Sequence, residues 1–131
     1  MSYRDRLKQI IAEQLQQGPV LHLSLHSFTP VLKRQRRSAD IGILYDPART
    51  QEMRFAKELQ SCLRRESTLR VRRNYPYLGY ADGMTTWLRK HYAQTQYLGI
   101  EIELNQAMLA SLTTKQRTEF VIMLTRTITS V

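Results

Sequence analysis

YLGIEIEL, residues 97–104, divides its side chains cleanly between two faces. Ile100, Ile102 and Leu104 fall on one side, with Glu101, Glu103 and the following Asn105 on the other. That two-residue period is the signature of a β-strand. Two carboxylates on one face of so apolar a strand are costly if that face is covered, unless they are paired or hydrogen-bonded. A solvated edge strand accounts for them equally well on pattern alone, so Glu101 and Glu103 enter as candidates with two readings open.

A second strand reads from Val20 to Ser27, where His22, Ser24 and His26 alternate with Leu21, Leu23 and Leu25. Before it, residues 3–16 place Leu7, Ile10, Ile11 and Leu15 at helical spacing, and Gly18-Pro19 closes that helix. After it, a polar loop leads to Ala39–Tyr45, a further strand, and Asp46-Pro47 opens a helix over 49–64. The inner face of that helix is expected to hold Met53, Ala56, Leu59, Cys62 and Leu63. Leu69–Arg73 reads as a short strand, the stretch NYPYLGYADG as turns, and residues 84–92 as a helix. Thr113 and Gln116 have capping-box spacing for a last helix, with Phe120, Val121, Leu124 and Ile128 facing inward. Alternation of strand and helix throughout predicts an α/β fold of three layers, a mostly parallel (mixed) sheet with flanking helices. Ligands of such sheets gather beyond the carboxyl ends of the strands, where His26, Asn74, Glu103 and Asn105 fall.

The 131 residues suit one domain with a real core, and 42% hydrophobic against 24% charged residues excludes a disordered chain. No apolar run reaches spanning length, and MSYRDRLKQII lacks a signal-peptide pattern. One cysteine, Cys62, excludes an internal disulfide and suits a reducing cytoplasm, the expected location. Twenty Lys and Arg against eleven Asp and Glu give a formal charge of +9, which favours anionic partners. The basic residues are scattered in small groups (33–37, 64–65, 70–73) without interleaved aromatics. That arrangement suits solvated faces and one or two substrate-binding arginines better than a nucleic-acid footprint.

Of the histidines, His22 and His26 lie two pleats apart on one strand face, too far to be obvious co-ligands. His26, next to a loop, is the better ligand; a hydrogen bond to a neighbouring loop is the bland reading of either. The tyrosine- and glycine-rich turn around Pro76 is either a tight connection or a substrate loop whose glycines let backbone approach a ligand. CxxC, HExxH, GxSxG and phosphate-loop patterns are absent from the sequence.

Four segments in order, HSFTP (26–30), ADIGILYDPAR (39–49), NYPYLGYADGMTT (74–86) and GIEIELNQ (99–106), resemble the C-terminal half of N-formylglutamate amidohydrolases. The resemblance implies a zinc-carboxypeptidase-like fold that hydrolyses the formamide of an N-formyl amino acid to formate and the amino acid. It implies zinc, with His26 as the later metal ligand, and Glu103 as the catalytic carboxylate, with Glu101 in reserve. Arg37, Asn74 and, more weakly, Arg73 take the role of binding the substrate carboxylate. The early histidine and glutamate ligands of the family would precede Met1. Residues 1–131 are therefore expected to form a single domain lacking the N-terminal part of that fold and impaired alone, whether as a truncated product, a mis-called start, one part of a split protein or a metal-free descendant, with the missing N-terminal half or a second copy of the chain as candidate partners. The alternative is a basic α/β module without catalysis that binds anions or nucleic acid.

Overall fold

A computed structural model describes residues 1–79 and 83–131 of the chain. Ser2 caps the first helix, α1 (Tyr3–Leu15), its hydroxyl accepting from the Asp5 amide. The chain continues through β1 (Val20–Phe28), β2 (Val31–Leu32), β3 (Gln35–Arg36), β4 (Ile41–Leu44), α2 (Thr50–Glu66) and β5 (Val71–Arg73). It ends with α3 (Gly83–His91), β6 (Tyr97–Asn105), α4 (Gln106–Ser111) and α5 (Thr114–Ser130). The capping box of Thr113 and Gln116 is formed, which fixes the start of α5.

Four strands make one sheet in the order β1-β6-β4-β5. β1 and β6 run parallel, as do β4 and β5, while β4 and β6 are antiparallel. The mixed α/β sheet expected from the sequence is thus the one observed. On one face Ile41, Ile43, Val71, Ile100, Ile102 and Leu104 pack under α2 and α5 against Leu59, Leu63, Phe120 and Leu124. On the other, Tyr97 joins Ile11 of α1 and Leu88 of α3 in a smaller apolar cluster. That second layer covers only one end of the face, and Glu101 and Glu103 lie further along it.

Three features depart from the expected pattern. Val31–Leu32 and Gln35–Arg36 pair as a small antiparallel hairpin where a loop was expected. Its turn holds Lys33 and Arg34 at φ 50° and 66°, a left-handed pair in which Asn-Gly is the usual choice. Ile10 and Val121, placed inward by periodicity, are solvent-exposed. The inner face of α2 carries a carboxylate, Glu52, which is fully buried, whereas Cys62 is only half-buried.

Glu52 is held from four sides. Arg49 pairs with it at 3.2 Å and Arg89 at 3.0 Å. The backbone amides of Asp46 and Gly99 each donate to it at 3.0 Å. Arg89 also donates to the carbonyls of Gly79 and Gly99, and Arg49 to those of Arg89, Tyr92 and Tyr97. One carboxylate therefore joins α2, α3, the start of β6 and the chain at Gly79. Removing it leaves two arginines buried without a counter-charge. Glu52→Ala is expected to lower the unfolding free energy by about 3–5 kcal/mol in urea titration, whereas Glu58→Ala on the exposed face of α2 changes it by less than about 0.5 kcal/mol.

Candidate functional site

The parallel register of β1 and β6 sets His26 beside Glu103 and Ser24 beside Glu101. On the far side of β6, Gly42 of β4 is the partner of Glu103 and Leu44 that of Glu101. His26, Glu103 and Gly42 thus form one row across the sheet, at the carboxyl ends of β1 and β6. A Cβ at Gly42 would collide with the backbone carbonyl of Tyr75. The bare glycine lets the Tyr75 segment cross the sheet next to Glu103.

Glu103 is 5% exposed, and its Oε2 has no hydrogen-bond partner among the described residues. Burial pushes its carboxyl above the ordinary range, and the charges of His26 and Arg37 oppose that rise without cancelling it. Glu101 is equally buried, one pleat deeper on the same face.

Arg37 is 8% exposed. Its guanidinium donates to the Thr29 carbonyl and the Tyr77 hydroxyl, and lies 5.0 Å from the centre of the Tyr77 ring. Among the described residues it makes no ion pair, so a buried cation beside Glu103 still has charge to offer an anion. It also lines a cleft of about 240 Å³ with Lys33, Arg36, Tyr75 and Pro76. Tyr75 receives the Ser38 amide on its hydroxyl at 2.7 Å and stacks beneath Arg72. Burial would raise its pKa, but the Ser38 hydrogen bonds and the charges of Arg72 and Arg37 together bring it below the ordinary value.

The remaining candidates are placed elsewhere. Arg73 projects on the α2 side of the sheet, where it donates to Gln60 and the Tyr45 hydroxyl. Asn74, at φ 51°, accepts on its Oδ1 from the amides of Tyr45 and Gly79. Its side chain clamps the 74–79 segment to the end of β4. His22 bonds to the Tyr97 hydroxyl at 2.7 Å and sits two pleats from His26. Asn105 caps α4 and donates to the Ala39 carbonyl. Residues 80–82 of the tyrosine-rich turn lie outside the described residues.

Sequence reasoning passed over Gly42, Tyr75 and Tyr77 as individual residues. The signal for Gly42 was a glycine inside an apolar strand, which marks a close backbone approach. Among the described residues, no three His, Cys, Asp or Glu side chains come together as a metal-binding group. No helix of the described residues is long and apolar enough to cross a membrane.

A search of curated proteins gives no match. Among solved structures, the gene product Atu2144 of Agrobacterium tumefaciens is similar, with a TM-score of 0.71 and 30% identity. The alignment covers 98% of this chain and 50% of that one, so the chain spans about half the length of this relative. The family model for N-formylglutamate amidohydrolase matches residues 1–110, which include His26, Arg37, Glu101 and Glu103. The chain belongs to the N-formylglutamate amidohydrolase family.

Proposed function

We propose that this chain carries the proton-transfer and carboxylate-binding half of a site that hydrolyses the formamide of an N-formyl amino acid, of which N-formylglutamate is the reference substrate. The observation that carries the reading is Glu103: a buried carboxyl with an unpartnered oxygen, raised pKa, and an unneutralised arginine next to it. A carboxylate with its pKa moved toward neutrality is a better proton shuttle than an ordinary one.

In this reading Arg37 takes the substrate's α-carboxylate with its planar fork. The cleft beside it, lined by Lys33 and Arg36, suits a second carboxylate on the substrate side chain, which favours an acidic N-formyl amino acid. Water adds to the formyl carbon, and Glu103 accepts its proton. The C–N bond then breaks as Glu103 delivers that proton to the departing nitrogen, and the released formic acid gives its remaining proton to the amine or to solvent and leaves as formate. Glu101, deeper in the same face, is the reserve carboxylate.

Zinc dependence is part of the proposal and rests on the family. His26 supplies one nitrogen at the right end of the sheet. A catalytic zinc takes three protein ligands as a rule, and the described residues bring no such group together. Zinc does not fit this chain's described residues alone; its other ligands have to come from outside them. A nucleic-acid role has less support, because Arg49, Arg64, Arg70, Arg73 and Arg89 all donate to groups of the chain itself.

Formate release from N-formylglutamate, assayed with zinc supplied, tests the activity. Glu103→Gln is expected to lower the rate by about 10²–10⁴-fold, and Arg37→Gln to act mainly by raising KM. Undiminished turnover in Glu103→Gln would remove Glu103 from the chemistry. Cleavage of N-formyl-leucine as readily as N-formylglutamate would remove the acidic preference.

The raised pKa also makes a prediction that needs no activity. Between the ordinary value of 4.5 and the raised one, the folded state holds more proton on Glu103 than the unfolded state does. Stability from this group is therefore present below the ordinary value and lost as pH rises through the raised one. Glu103→Gln should raise the melting temperature at pH 7 and by less at pH 4. An equal change at both pH values would mean that the carboxylate is not penalised by burial.

A further inference from the structure

We propose that Tyr77 is a positioning residue: by occupying one nitrogen of Arg37, it reserves the opposite Nε–Nη2 edge of the guanidinium for the α-carboxylate of the substrate. The inference rests on the reading of Arg37 as a carboxylate binder. It adds which edge binds and what holds that edge in place.

A guanidinium carries five N–H groups in a fixed plane. Nη1 of Arg37 bears two of them and meets two acceptors, the Thr29 carbonyl at 3.3 Å and the Tyr77 hydroxyl at 3.1 Å. That nitrogen is spent. Nε and Nη2 have no acceptor among the described residues, yet neither is sealed from solvent as the orphaned oxygen of Glu103 is. The N–H bonds on their shared edge run parallel, which matches the two oxygens of a single carboxylate. Arg37 lines its cleft with Lys33, Arg36, Tyr75 and Pro76, and the cleft gives an anion a way to that edge.

Aromatic rings and the end of β1 hold the fork still. Its Cζ lies 5.0 Å from the ring centre of Tyr77 and 5.7 Å from that of Phe28, distances at which a cation is drawn to an aromatic ring. Phe28 ends β1 and is fully buried, and the residue after it supplies the Thr29 carbonyl. The main chain of Arg37 is tied to the same place, its amide donating to the Pro30 carbonyl at 2.7 Å. One side of Arg37 is thus fixed by the strand that carries His26, and Tyr77 fixes the other. Tyr77 is itself 43% exposed, and the segment that carries it is clamped at Asn74. Removing its hydroxyl should therefore leave the fold intact while letting the guanidinium turn.

The test follows the arginine Nε–H signals of the isotope-labelled chain by NMR, at mildly acidic pH, as N-formylglutamate is added. The Arg37 signal, assigned through its own backbone, is expected to shift and saturate. Tyr77→Phe keeps the ring and removes the hydroxyl; it should raise the ligand concentration at half-saturation about tenfold, with the thermal melt unchanged. N-formyl-isoglutamine, whose α-carboxylate is replaced by an amide, should bind both proteins equally weakly. Equal affinity of the two proteins for N-formylglutamate would overturn the role of Tyr77. So would an equal loss with both ligands, which marks a general disturbance of the cleft. If the Arg37 signal of the unaltered chain ignores N-formylglutamate, carboxylate binding by Arg37 falls, and the role of Tyr77 with it. That result is distinct from the first, in which the signal shifts in both proteins.

Discussion

Everything at the candidate site depends on where β6 lies, and β6 is anchored through Glu52. A fully buried carboxylate is tolerable only if its lone pairs are filled by well-placed donors, because its desolvation is expensive. Here both oxygens are used by Arg49, Arg89 and two backbone amides. The amide of Gly99 belongs to β6, and the carbonyl of the same residue receives Arg89. The strand is gripped at its beginning, and its pairing with β1 and β4 carries that register forward to Glu103. The Arg89 bond to the Gly79 carbonyl ties the segment after Tyr75 and Tyr77 to the same clasp. One ionic knot thus fixes both the strand under the site and the chain beside it.

Glu52 and Glu103 are both buried carboxylates, yet their environments differ in kind. Glu52 is saturated with donors, and nothing is left for it to do except hold. Glu103 has one oxygen without a donor among the described residues, and its neighbours His26 and Arg37 only partly offset its burial. A fold gains nothing in stability from such a group; a hydrophobic residue there would cost less. The contrast is the physical reason why the first is read as structural and the second is the one proposed for chemistry.

The sheet and its polar face were legible because β1 and β6 follow strict two-residue alternation, and because helix caps such as Thr113 and Gln116 are local signals. The hairpin at 31–36 was not, since Lys33 and Arg34 occupy left-handed positions that composition assigns to glycine or asparagine. Glu52 was hidden for a different reason. It falls on the same helical stripe as Ala56, Leu59 and Leu63, and a charge there is read as exposed unless its distant partners are known. Arg89 is 37 residues away. His26, Glu103 and Arg37 became candidates through the family's motifs and strand position, and the sheet register puts the first two side by side. Arg73 and Asn74 entered through the family resemblance, and a sequence motif does not say which face a strand residue takes or that the Asn74 side chain accepts from the backbone amides of Tyr45 and Gly79.

The two unusual properties of β1 belong to opposite faces of a single strand. One face ends in His26 beside Glu103; the other exposes three leucines over an apolar groove. The row that runs from Gly42 through Glu103 to His26 reaches the outer edge of the sheet at β1. The described residues stop that row at β1. Among the described residues, the side of His26 away from Glu103 is therefore the open side of the row.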